Sequence, residues 1–200
     1  TVTALSKTFA ANLNISGGAQ APGGTLNVYS SDAHPGYIGN FGHQVLMRLN
    51  LSAANGDVRW NALKVDVFAP SGLPKKGYAM ALWKDSNNNG VFDGGGAAAA
   101  TGAMDYQIGL INIPGGVSSG TISLYEPQLL SPSATWYYFV TLDLTDYSGP
   151  FGGIGQKTGP LALRLASTNY FSLSQGGATT SDLLGSSTAQ VMLAVEARNE

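Results

Sequence analysis

The sequence predicts an all-β fold: a single antiparallel β-sandwich, jelly-roll-like, with a detachable N-terminal strand. Three observations carry this. Apolar residues recur with period two along much of the chain. Clusters of Gly, Pro, Asn, Asp and Ser separate the alternating runs. No stretch combines a 3.6-residue apolar period with helix caps. The 200 residues suffice for one β-rich domain with a sizeable core.

The first alternating run places Leu5, Phe9, Ala11, Leu13 and Ile15 on odd positions, broken by Lys7. "SGGAQAPGG" follows, from Ser16 to Gly24. Extended, it would span about 30 Å. The expected organisation is therefore a donor strand at 1–16, a glycine-rich tether at 17–24 and a sandwich at 25–200. Strands are expected near 25–30 and at Val45, Met47, Leu49 and Leu51. More follow near 58–68, 77–83, 104–112 and 121–125. Trp136, Tyr138, Val140, Leu142 and Leu144 alternate with Tyr137, Phe139, Thr141 and Asp143. Leu161, Leu163 and Leu165 flank Arg164, a strand is expected near 169–173, and Ala189, Val191, Leu193, Val195 and Ala197 close the pattern. Turns fall at 54–57, 70–72, 114–116 and 148–150. Ala97 to Ala100 could hold a helical turn, but the glycines before them oppose it. Residues 174–187 read as a polar loop. The total is roughly ten or eleven strands, as a sandwich requires.

Charged residues make up only 11% of the chain, and the net charge is −2. With ten Lys and Arg, a dense basic face for phosphates or anionic lipid is not expected. Cysteine is absent, so neither disulfides nor a thiolate metal site can form. No apolar run approaches the ~20 residues of a membrane-spanning helix. The start at Thr1 fits a chain processed by removal of a signal peptide, and hence an extracellular or cell-surface location. Asn14-Ile15-Ser16 and Asn50-Leu51-Ser52 match the glycosylation sequon.

The segment "KDSNNNGVFDGGG", Lys84 to Gly96, concentrates oxygen-bearing side chains in a chain otherwise poor in charge. Asp85, Asn87, Asn89, Gly90 and Asp93 occupy positions 1, 3, 5, 6 and 9 of a calcium loop, and Val91 can offer its carbonyl at position 7. The spacing has a physical cause. A chain winding around a hard cation turns alternate side-chain oxygens inward, and glycine permits the sharp bend. Position 12 should carry a bidentate glutamate but is Gly96, and no flanking helices are expected. A structural calcium ion is the expected cofactor. A third carboxylate would come from outside the loop, from Asp143, Asp146 or Asp105.

Motifs for catalysis fail in context. Gly116-Val117-Ser118-Ser119-Gly120 matches the nucleophile-elbow pattern, but His34 and His43 both precede it and a strand, not a helix, is expected after it. Gly155-Gln156-Lys157-Thr158 departs from a phosphate loop at Gln156. Glu126, Glu196 and Glu200 are too scattered to suggest the carboxylate pair of a glycosidase. The run Trp136 to Phe139 could stack sugars, but alternation favours packing about half of it in the core. The chain is not expected to be an enzyme.

The stretches "WNALKVDVFAPSG", "YAMALWKDSNNNGVFDGGG" and "WYYFVTLDLTDYSG" resemble β-sandwich modules of secreted and surface proteins in bacteria and archaea. In those, a strand leads into a D-x-N-x-N-G-x-x-D loop, and a later strand ends in an aspartate followed by an apolar residue, here Asp143-Leu144. The likeness covers residues 58–173. The chain is also similar to the TasA-like class, which includes archaeal bundling pili. The shared features are a processed start, an amphipathic first strand, a glycine-rich tether and one cysteine-free sandwich. The calcium loop is not a general mark of those filaments.

The second resemblance implies a subunit of an extracellular filament, a pilus or biofilm fibre, polymerised head to tail by strand donation. An incomplete sheet would expose backbone groups and an apolar groove, and a neighbour's strand would satisfy both. Burying Leu5, Phe9, Leu13 and Ile15 would contribute on the order of 1.5–3 kcal/mol each before ordering costs. Such a contact does not close on itself, so it grows a fibre. The other expectation, of equal standing, is that the first strand folds back into its own sheet. The alternative is a monomeric, calcium-stabilised adhesin or carbohydrate-binding module.

Overall fold

The computed structural model describes residues 9–15, 24–33, 44–68, 77–94, 104–132, 134–143, 161–174, 178–184 and 189–193. The fold is all-β and antiparallel, one sheet curled so that two layers face each other. The strands are β1 (Phe9–Ile15), β2 (Thr25–Asp32), β3 (Gln44–Ala54), β4 (Val58–Phe68), β5 (Tyr78–Lys84) and β6 (Tyr106–Ile113). They continue with β7 (Ser119–Leu130), β8 (Thr135–Asp143), β9 (Leu161–Leu165), β10 (Phe171–Leu173), β11 (Ala178–Leu184) and β12 (Ala189–Leu193). The spatial order is β11-β1-β2-β3-β8-β5-β6-β7-β4-β9-β12, with β10 also on β4.

Two strands show how the sequence pattern becomes a face. In β3, Leu49, Leu51 and Ala53 are buried while Arg48, Asn50 and Ser52 are less so. Leu46 and Met47 are adjacent yet both fully buried, because the pairing with β8 slips between Val45 and Met47. In β4, burial runs on even positions through Val58 and Trp60, then on odd positions through Leu63, Val65 and Val67. The change coincides with an irregularity between Trp60 and Ala62 in the pairing with β7. Without it, half of β4 would turn its apolar side chains to solvent. The opposing residues 124–127 are accommodated there, including Pro127, which has no N–H to offer a ladder. Trp60 anchors the main core, edge-on to Tyr138 at 5.2 Å and 5.7 Å from Phe171.

The layers join where β6 meets β7. These strands share a single registered pair, Gly109↔Leu124. A Cβ on Gly109 would lie 2.7 Å from Ile122 Cγ2 and 2.8 Å from the Ser123 carbonyl oxygen. The corner therefore requires a residue without a side chain.

The structure differs from the sequence expectation at the β11 edge. Residues 178–184, expected within a loop, form β11, whose backbone pairs with β1. Thr179 and Thr180 give this segment some strand character, but it lacks the apolar alternation that marks the others. The first strand is integrated into the sheet of its own chain. β1 pairs with β2 from Phe9↔Ser30 to Asn14↔Thr25, and with β11 on its other edge, all within one chain. The described residues form twelve strands, and β7 is far longer than the expected 121–125. Leu5, Leu144, Val195, Ala197 and Ala97 to Ala100 lie outside the described residues.

Two predictions follow from this packing. Gly109→Ala should lower unfolding free energy by about 1–3 kcal/mol, read by urea denaturation, because backbone on β7 must move. The second concerns alkali. Burial pushes the Tyr78 hydroxyl up to about 12 and raises Tyr138 further, both from an ordinary 10. The folded state thus favours the neutral phenols. That contribution is complete below pH 10 and is lost as pH rises toward 12 and beyond. Unfolding and tyrosinate absorbance should appear together in that window.

Candidate functional site

β5 is buried on both faces, with only Lys84 half-exposed. Its inward residues Tyr78, Met80 and Leu82 join the main core, while Ala81 and Trp83 pack on the other side with Phe139 of β8. Trp83 Nε1 donates to Thr141 Oγ1 at 2.9 Å inside that second cluster. Val45 and Phe92 lie against it, Phe92 edge-on to Trp83 at 5.6 Å and to Phe139 at 5.5 Å. Phe92 belongs to the 85–94 connection, so this connection folds back over the sheet and lays its own aromatic ring on it.

The connection begins as an extension of the ladder. The Asp85 N–H donates to the Tyr137 carbonyl at 3.1 Å, and the Asp85 side chain is fully buried. The chain then turns through left-handed conformations at Asn88 (φ 56°), Gly90 (φ 76°) and Gly94 (φ 75°). Asp85 Oδ2 accepts the Gly90 N–H at 2.6 Å. Asn87 Oδ1 accepts the Asn89 N–H at 3.0 Å, and Asn89 Oδ1 accepts the Val91 N–H at 2.7 Å, two successive Asx turns. Both amides donate to Asp93 Oδ2, at 2.9 Å from Asn87 and 3.1 Å from Asn89. Asp85, Asn87, Asn89, Val91 and Asp93 are thus wound into one loop. The Val91 side chain faces solvent.

Three residues that the motif did not single out hold this loop in place. Asn88 projects away from the Asn87/Asn89 side and pairs with β8 as a strand residue would. Its Nδ2 donates to the Thr135 carbonyl at 2.8 Å, and its Oδ1 accepts the Tyr137 N–H at 3.1 Å. Arg48 of β3 donates from Nη1 to the Gly90 carbonyl at 3.1 Å, and its guanidinium lies 5.8 Å from the Tyr137 ring centre. Phe92 is the third. Asn88 had a signal in sequence, as the even-numbered residue among alternating ligand positions, whereas Arg48 had none.

Of the three carboxylates considered as a supplement, Asp105 is the one brought to the loop. It is buried just before β6, its Oδ1 accepting the Ser86 N–H at 3.3 Å and its Oδ2 the Asp93 N–H at 3.0 Å. Burial raises its carboxyl above the ordinary range. The two N–H bonds oppose that, and the charges of Asp85 and Asp93 add to it. Asp85 Oδ1 is buried without a hydrogen-bond partner. Asp143 stands at the far end of β8, eight residues beyond Thr135 and so about 26 Å away along the strand. Asp146 lies outside the described residues. Among the described residues no three carboxylate or imidazole groups stand, as placed, where they could hold a metal ion together. Asp93 and Asp105 face amide groups instead.

The other candidates separate cleanly. Tyr138 and Phe139 are fully buried on opposite faces of β8, and Trp136 and Tyr137 are half-buried. Lys84 Nζ covers the Trp136 ring at 4.6 Å, so the four aromatics form no open platform. Ser118 lies in the β6–β7 turn and Ser119 opens a strand. Asn50 is half-buried in mid-β3, opposite Tyr29 and Tyr137, rather than in a loop. Asn14 pairs with Thr25 and Thr179 in β1. Glu126 is exposed on β7. His34, His43, residues 155–158, Glu196 and Glu200 lie outside the described residues.

Comparison of the chain with family models, curated proteins and solved structures finds no match.

Asn88→Ala should cost about 1–3 kcal/mol in chemical denaturation, since it removes two bonds to β8 and puts a Cβ-bearing residue without local compensation at φ 56°. Asn88→Gly should recover the conformational part only.

Proposed function

We propose that the chain is a non-catalytic structural unit of the extracellular surface, a β-sandwich whose 85–105 connection is locked by calcium. The observation that supports this best is the electrostatics of the connection. Asp85 and Asp93 bear on a buried Asp105, and one buried Asp85 oxygen has no partner. Burying like charges without a counter-charge is costly, and a hard cation would remove that cost. The low overall charge and the absence of cysteine suit a surface unit that packs against others without strong self-repulsion. No described helix is long and apolar enough to cross a membrane.

A second reading, assembly into a filament by strand donation, is favoured by one feature. β1 occupies a slot bounded by β2 and β11 and is paired along both edges. A neighbour's copy of the same strand would make the same ladder, so exchange would substitute equivalent contacts. The premise of an unfilled slot is not met within the chain, and exchange therefore requires β1 to leave first. The glycine-bearing segment after it supplies chain length for that movement.

Calcium should raise the melting temperature of chelator-stripped protein, and an unchanged melt would remove the ion from the account. Filament growth is tested separately by pairing Ala10→Cys with Tyr29→Cys, residues directly opposite in register. Electron microscopy should show fibres under reducing conditions and none once the disulfide has closed. Fibres in both conditions would refute exchange of β1.

A further inference from the structure

We propose that Asp105 is the third carboxylate ligand of a single calcium-sized cation held with Asp85 and Asp93, taking the place of the glutamate that the loop lacks at Gly96. This rests on the reading that the loop binds calcium, and it names a residue outside the motif as part of the site. Asp105 touches the second and ninth positions of the loop at once, through the Ser86 and Asp93 N–H groups. Its carboxylate therefore spans the loop from the side where the chain returns into β6. Each of its oxygens accepts one described N–H bond, and a carboxylate offers about four lone-pair sites, so capacity for an ion remains.

The independent sign of a missing ligand is Asp85. Its side chain is fully buried, one oxygen is used by the Gly90 N–H, and the other has no partner. A buried carboxylate oxygen left unpaired is destabilising unless something positive meets it. The oxygen-bearing side chains of the connection are the three carboxylates and the Asn87 and Asn89 amides, with no sulfur among them. An all-oxygen set on an irregular loop suits calcium better than magnesium, which demands near-octahedral geometry, or zinc, which prefers nitrogen and sulfur.

A competing role is that Asp105 merely staples the two backbone N–H groups. The two roles differ in how calcium changes the effect of a substitution. The test uses the full chain stripped with chelator, titrated with calcium chloride by calorimetry and melted with and without calcium. The variants are Asp105→Asn and, as a control for loss of one charge elsewhere, the exposed Asp57→Asn. Wild type and Asp57→Asn should bind one calcium ion and gain about 5–10 °C in Tm at a hundredfold excess over Kd. Asp105→Asn should lose affinity on the order of 30-fold or more. It gives up one of the two N–H bonds in either condition, so its Tm deficit against wild type should be distinctly larger with calcium than in chelator.

Equal calcium affinity in Asp105→Asn, with the same loss of Tm in both conditions, would establish the staple and overturn the ligand assignment, leaving calcium binding intact. No heat and no shift in wild type up to millimolar calcium would overturn both. If Asp105→Asn does not fold, Asp105→Glu answers the same question by moving the charge one methylene. Altered affinity supports a ligand, and unaltered affinity overturns it.

Discussion

The burial of Asp85 and Asp105 beside each other is the constraint around which this part of the fold is arranged. A carboxylate at the end of an inner strand is costly in itself, and a second one behind it raises the cost. The chain answers with backbone N–H groups from Ser86, Gly90 and Asp93. Supplying them at once forces a tight winding, and that winding is why Gly90 must take a left-handed conformation. Space is not the reason, since a Cβ at Gly90 would meet Tyr137 at an ordinary 3.5 Å. The polar geometry of the loop is thus the solution to a desolvation problem created where β5 ends.

The same winding accounts for a second apolar cluster on the opposite face of the sheet from the main core. A sheet in a sandwich ordinarily buries one face and wets the other. Here Ala81, Trp83, Phe139 and Thr141 are buried on the outer side. Phe92 reaches them because it lies between Val91, whose side chain faces solvent, and Asp93, whose N–H is held by Asp105. A segment rich in asparagine and glycine would not be expected to contribute to packing, yet its single aromatic residue does so.

How much of this was legible in the sequence depends on the range over which each signal acts. Period-two alternation is local, and it located β1 to β10 and β12; from β2 to β10 the described apolar residues show the burial that the pattern implies. It could not reveal β11, whose composition does not alternate and whose pairing with β1 is set by a contact far away in sequence. Nor could it foresee that β1 would be paired on both edges, because a detachable strand and an integral one carry the same pattern. The slip after Trp60 was visible only as a change from even to odd apolar positions within one run. In the loop, the residues that wind together were legible from spacing. Choosing Asp105 over Asp143 required the order β8-β5-β6, which brings the start of β6 back to the end of β5 and sends Asp143 to the opposite end of its strand.

The placement of the loop also bears on what an ion would do for the whole unit. Asp85 prolongs β5, Asp105 leads into β6, Asn88 is hydrogen-bonded to β8, and the Gly90 carbonyl is held by Arg48 of β3. Those four strands are consecutive neighbours in the sheet. A cation that orders residues 85–93 would therefore act as a cross-brace at one end of four adjacent strands. Loops ordinarily open at low free-energy cost because few contacts hold them. This one is tied across the layer and weighted by Phe92, so its opening would expose Trp83 and Phe139 together with the carboxylates. Opening of the loop and loss of the outer cluster should thus be a single event rather than two, with or without an ion.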